Sequence, residues 1–173
     1  MNATLAAWNA GPESSALEAM IACCGSKRWA AAMVALRPIA SVEALSQAAD
    51  RVWSTMLESD WLEAFACHPR IGDGRPAEAV AQASSRSEAW SRQEQSSASV
   101  ANELVLTELA EDNQLYEQRF GFTYIVCATG KSAVEMLTIL KRRLARNRET
   151  ELREAAEQQR QIMQIRLGKW LVE

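Results

Sequence analysis

The sequence predicts an all-α fold, a single-domain helical bundle of roughly eight helices that takes in residues 1–173. Three observations carry this. Apolar residues recur at spacings of three and four along most of the chain. Alternating runs that would mark strands are nearly absent. The 173 residues are 48% hydrophobic and 24% charged, with no repeat and no domain linker, which suits one sizeable core.

In the N-terminal third, Ala16 to Cys24 and Trp29 to Leu36 read as helices, broken by Gly25 and Pro38. Val42, Leu45, Ala49, Val52 and Met56 then recur at helical spacing behind Ser41, a natural N-cap. A short helix from about Asp60 turns Trp61, Leu62 and Phe65 inward, with Glu63 closing the cap. Pro69 ends it and pushes His68 to extended geometry, and Arg70 to Arg75, carrying Gly72 and Gly74, reads as a turn.

The serine-rich stretch from Ser84 to Ser99 reads as the first half of a long helix running to about Glu111, with Ala98, Ala101, Val105 and Leu109 as its buried stripe. Asn113, Tyr116 and Phe120 keep helical spacing until Gly121. Tyr124 to Ala128 is a short apolar, extended stretch before Gly130. One helix follows from Ser132 through Leu137, Leu140 and Leu144, and a last one runs from about Thr150 to Trp170.

Charge and cysteine usage exclude several classes. A net charge of −3 gives no pull toward nucleic acid or anionic lipid. The basic run Lys141, Arg142, Arg143, Arg146 and Arg148 is followed by Glu149, Glu151, Glu154 and Glu157, and reads as a solvated, pair-forming helical surface. The four cysteines form no CxxC pair and read as core fillers in a reducing compartment. No secretory signal is expected between Met1 and Gly11, no apolar run approaches the ~20 residues of a membrane helix, and Leu171-Val172-Glu173 is no peroxisomal tripeptide. The expected location is the cytoplasm.

Several tempting motifs fail. Gly130-Lys131-Ser132 looks like the end of a phosphate-binding loop, but Ile125 stands where that loop needs its first glycine, so Ser132 reads as a helix cap. Gly72-Asp73-Gly74 lacks the third glycine of a dinucleotide fingerprint, because Ala77 is there. One histidine and scattered cysteines make no zinc site, and Cys67 beside His68 is no dyad because adjacent side chains diverge.

Three residues keep two readings each. His68, the chain's single histidine, is either an exposed turn residue or a proton donor, since imidazole titrates near ~6.5. Ser91, Glu94 and Gln95 share one helical face, and Glu94 falls on the apolar stripe, where a carboxylate is costly unless paired or used. Ser-x-x-Glu is equally the signature of a capping box. Arg166 lies on the margin of the last helix's buried side, either snorkelling to solvent or seeking an anion.

At these residues the sequence resembles the 2-oxo-4-hydroxy-4-carboxy-5-ureidoimidazoline (OHCU) decarboxylase family. The matching features are His68-Pro69-Arg70-Ile71-Gly72, Ser91-Arg92-Gln93-Glu94-Gln95, Asn113, Tyr116, Phe120-Gly121-Phe122, Ile125-Val126-Cys127-Ala128, Gly130-Lys131-Ser132 and Arg166-Leu167, with Trp29 and Arg37-Pro38 upstream. The resemblance runs from about Ala16 to Trp170. It implies an all-helical homodimer without metal or organic cofactor, acting on a small molecule and making S-allantoin in urate breakdown. It implies catalytic roles for His68, Glu94 and Arg166. It also implies a pocket lined by Pro69, Ser91, Gln95 and the backbone of Tyr124, Ile125, Val126, Cys127 and Ala128. The rival reading is a non-catalytic helical module that binds a purine metabolite.

Overall fold

A computed structural model describes residues 2–71, 85–94 and 103–173. Among the described residues there are nine helices and no strand. They are α1 (Ala3–Ala10), α2 (Glu13–Cys24), α3 (Lys27–Ala35), α4 (Val42–Ser54), α5 (Glu58–Ala66), α6 (Ser85–Glu94), α7 (Glu103–Phe120), α8 (Ala133–Leu144) and α9 (Arg148–Trp170). They fall into two compact units, one of Met1–Ala64 with Arg160–Glu173 and one of Phe65–Gln159.

The first unit begins with a helix that periodicity does not predict. Asn2 caps α1 by accepting from Leu5 N–H at 3.0 Å, and the helix buries Leu5 and Trp8. Gly25 ends α2 at φ 88°, a left-handed conformation that glycine adopts without penalty. Ser26 and Ser41 cap α3 and α4 through the N–H groups of Trp29 and Ala44. Tryptophans organise the core. Trp29 donates to Ala49 O at 3.2 Å, Trp8 to Ala16 O at 3.1 Å, and Trp8 meets Trp170 edge to face at 6.1 Å. Arg160 and Gln164 of α9 reach Asp50 at 3.0 and 2.8 Å, so the last helix is tied to α4 by charge-assisted bonds.

The α5 cap differs from expectation. The helix starts at Glu58, and Asp60 reaches back to accept from Leu57 N–H at 2.8 Å, as a third-position acid does in a cap. Glu63 accepts instead from Lys27 N–H at 2.9 Å, at the start of α3. Phe65 is buried, whereas Trp61 and Leu62 are half-buried.

The second unit is built on an aromatic cluster of Phe65, Tyr116, Phe120, Phe122 and Tyr124, with ring centroids 4.7–6.2 Å apart. Gly121, at φ 80°, ends α7 where the spacing predicts. The expected long helix is described in two parts, α6 and α7; residues 95–102, including Ala98 and Ala101, lie outside the described residues, as does the expected turn beyond Ile71. Ser132 caps α8 in a full capping box with Glu135. Asn147 caps α9 by accepting from Thr150 N–H at 2.8 Å.

The basic and acidic run is not all surface. Arg143 and Glu151 are buried and ion-paired, because Arg143 lies three residues after Leu140 and seven after Met136, on the apolar face of α8. Lys141–Glu108, Arg153–Glu149 and Arg146–Glu154 are the solvated pairs. All four cysteines are buried thiols, as expected of core fillers.

Candidate active site

His68 lies two residues past the end of α5 and is 8% exposed, so the exposed-turn reading is excluded. Its N–H donates to Phe65 O at 3.1 Å, which completes the helix exit. Pro69 is half-buried beside it. The next two residues are held by α7. Arg70 donates to both carboxylate oxygens of Glu117, at 2.7 and 2.6 Å, in a bidentate fork. Asn113 donates to Ile71 O at 2.9 Å and to Leu109 O at 2.9 Å. Asn113 and Glu117 stand one turn apart on the same helical face, so a single helix fixes the loop that carries the histidine.

Glu94 is the last residue of α6 and half-buried. Ser87, Trp90 and Ser91 are buried, and with Glu94 they occupy positions i, i+3, i+4 and i+7 of one face. Ser91 sits inside the last turns of α6 and cannot be an N-cap, so the capping-box reading is excluded. The chain's true capping box of this type is Ser132 with Glu135. Gln95 lies outside the described residues.

Tyr124, Ile125, Val126, Cys127 and Ala128 are all buried in an irregular segment between α7 and α8. Buried backbone outside helix or sheet must find other partners. Arg143 Nη1 donates to Ile125 O at 2.7 Å. Cys127 N–H donates to Gln158 Oε1 at 2.8 Å, and Cys127 O accepts from Lys131 Nζ at 2.7 Å. Lys131 is thus a main-chain tether, with no phosphate-loop geometry around it.

Behind this segment lies the polar core that composition concealed. Arg143 Nε donates to Glu151 Oε1 at 2.6 Å, and Tyr116 donates its hydroxyl proton to the same oxygen at 2.5 Å. The guanidinium lies over the rings of Tyr124 and Tyr116, 4.9 and 5.9 Å from their centroids. Burial pushes both phenols well above their ordinary value, with the Arg143 charge opposing, so both stay protonated. Burial works hardest against the Arg143 charge, but the bond to Glu151 and the electrostatic attraction of Tyr116, Glu151 and Tyr124 together outweigh it and raise the guanidinium further.

Arg166 is 1% exposed, so it does not snorkel. It belongs to the unit formed by both ends of the chain, whereas His68, Glu94 and the 124–128 segment belong to the other. Its place on α9 follows a buried stripe of Glu151, Ala155, Gln159, Ile162 and Arg166, in which polar residues keep apolar phase.

The described residues define an all-helical protein with a buried histidine at a helix exit and a half-buried carboxylate in phase with buried Ser87, Trp90 and Ser91. The profile of the OHCU decarboxylase family matches residues 9–168, and the chain belongs to that family. It is 39% identical over 148 residues to the uric acid degradation bifunctional protein TTL of Arabidopsis thaliana, covering 85% of this chain and 44% of that protein. It is 28% identical over 134 residues to the uric acid degradation bifunctional protein of Bacillus sp. (strain TB-90), covering 76% and 24%. The chain therefore spans less than half the length of these curated relatives. A crystal structure of OHCU decarboxylase in the presence of (S)-allantoin matches with a TM-score of 0.75 at 34% identity, covering 94% of this chain and 100% of that one. A crystal structure of (S)-allantoin synthase shares the fold, with a TM-score of 0.67 at 17% identity over 96% of this chain and 53% of that one.

Proposed function

We propose that this protein is a cofactor-independent decarboxylase that converts OHCU into (S)-allantoin and CO2 in urate catabolism. The observation that carries the reading is the likeness to OHCU decarboxylase with (S)-allantoin, which takes in nearly the whole of both chains.

The chemistry suits the residues. The leaving carboxylate sits on a carbon next to a ring C=N bond. As the carbon–carboxylate bond breaks, its electron pair moves into that imine and CO2 departs. The neighbouring hydroxyl becomes the ring carbonyl, and the carbon bearing the ureido group takes one proton on one face. The substrate therefore supplies its own electron sink. What remains for the protein is to orient the ring, place the carboxylate for departure and direct the proton.

In this reading His68 delivers the proton. Glu94 binds the hydroxyl or ureido side and favours the charged imidazole, and Arg166 anchors a substrate oxygen. Pro69, Ser91, Gln95 and the backbone of Tyr124 to Ala128 line the pocket. An anionic, amide-rich substrate offers acceptors to a guanidinium and donors to a carboxylate. The protein acts as a cytoplasmic homodimer, which light scattering on the purified chain tests.

The deciding experiment supplies urate with urate oxidase and hydroxyisourate hydrolase, then follows circular dichroism of the product. Spontaneous decay gives racemic allantoin, so an optically active product is the expected result. Substrate binding with a racemic product would leave a binding module in place of an enzyme.

A further inference from the structure

We propose that Arg143, Glu151 and Gln158 are positioning residues that set the path of the 124–128 backbone, and with it the substrate's orientation. The inference rests on the pocket described under the proposed function, in which that backbone meets the substrate.

The segment has a mechanical problem. Five consecutive residues are buried, yet neither helix nor sheet holds their backbone. A reading surface made of peptide groups must be fixed to within a fraction of an ångström, and irregular backbone has no ladder to do so. Here the fixing comes from side chains behind the segment. Arg143 of α8 takes Ile125 O at 2.7 Å, and Gln158 of α9 takes Cys127 N–H at 2.8 Å.

The guanidinium is itself over-determined. Nε and Nη2 grip Glu151, Nη1 is left for the Ile125 carbonyl, and Cζ lies 4.9 Å from the centroid of the Tyr124 ring. Tyr116, whose phenol burial keeps protonated, donates to the same Glu151 oxygen. Lysine, with a single nitrogen, could not meet a carboxylate and a main-chain carbonyl in this fork geometry.

Stability alone does not call for such a pair. A buried ion pair is commonly no more stabilising than well-packed apolar residues of similar volume, and its distinctive property is a fixed geometry. This one lies at the end of α8 and the start of α9, where each charge also complements its helix dipole. Its third arm is spent on the segment proposed to read the substrate.

The test compares three proteins: wild type, the double variant Arg143→Met with Glu151→Leu, and Gln158→Met. The double variant removes both charges together, so no buried charge is left unpaired, although the Tyr116 hydroxyl and Ile125 carbonyl lose these bonds; it is expected to be less stable than wild type but to fold with wild-type helical circular dichroism. The expected result for both variants is a KM raised by about 10-fold or more and allantoin of reduced enantiomeric excess. Backbone amides of Val126 to Ala128 are expected to exchange with solvent faster than in wild type, without substrate present. A double variant with wild-type KM, optical purity and exchange would overturn the proposal and leave the pair as packing. Should the double variant not fold, Gln158→Met decides by the same readouts. A wild-type protein that makes no optically active allantoin would sink the functional reading instead, and the exchange experiment would still judge the tether.

Discussion

His68 and Glu94 are tested most sharply by substitutions that keep shape and remove chemistry. His68→Gln replaces the imidazole by a planar, hydrogen-bonding amide that does not titrate, in a site that is 8% exposed, and the N–H bond of residue 68 to Phe65 O is a main-chain bond that survives. Turnover at saturating substrate is expected to fall to background while far-ultraviolet dichroism stays unchanged; a wild-type rate would remove His68 from the chemistry. Glu94→Gln separates two roles by magnitude. A cap contributes ~1 kcal/mol to stability and nothing to rate, whereas a working carboxylate is worth about 100-fold in rate or more. Because Ser91 lies inside α6, the expected outcome is an unchanged melting temperature with the large loss of rate. From the residues alone each keeps a second reading, an exposed turn for His68 and a capping box for Glu94; the resemblance singles them out, and the burial of His68 and the place of Ser91 inside α6 exclude those second readings. Arg143 and Glu151 were not legible, because a run of alternating charge resembles a solvated face. Their helical phase with Met136, Leu140 and Ala155 held the signal that their charge obscured.

Helices announce themselves by period and by caps, and the two signals succeeded to different degrees. Period located α2 to α4, α8 and α9 within a few residues and the end of α7, with Gly25 and Gly121 as stops. It missed α1, where an alanine-rich stretch offers no contrast between faces and the Asn2 cap carries the information. At α5 the acid that closes the cap is Asp60, because Glu63 is engaged by the start of α3. Bonds from the Ser132 backbone and hydroxyl hold the Glu135 carboxyl below its usual range, so the box contributes stability above the ordinary carboxylate pKa and loses it as pH falls through the lowered one. The melting-temperature gap between wild type and Glu135→Ala is therefore expected to shrink on acidification, and a gap independent of pH would refute the box. At the junction of α8 and α9, Arg143→Met alone strands a buried carboxylate and is expected to cost ~3–5 kcal/mol in denaturant unfolding. Adding Glu151→Leu should restore most of that, since no charge then remains unpaired.

At the scale of the whole molecule, the chain runs through the first unit, builds the second from Phe65 to Gln159, and returns along α9 to complete the first. Of the proposed catalytic side chains, His68 and Glu94 come from the middle of the chain and Arg166 from its last helix, so the family's motifs have to be spread over nearly the full sequence. The inventory they supply is one proton donor, one carboxylate and one guanidinium. Under the proposed function that inventory suffices, because the substrate's imine would receive the electron pair that a thiamine or pyridoxal cofactor would otherwise accept. The barrier that would remain is one of orientation and of proton placement, which in this reading fixed side chains lower without a Lewis acid. Turnover and the optical purity of the product are therefore both expected to survive exhaustive dialysis against EDTA, measured with the same coupled assay and with the two auxiliary enzymes added after dialysis. Loss of activity on chelation, restored by one divalent metal, would contradict this mechanism. The proton delivered by His68 would then have to come from a metal-bound water, and Glu94 would be recast as a ligand.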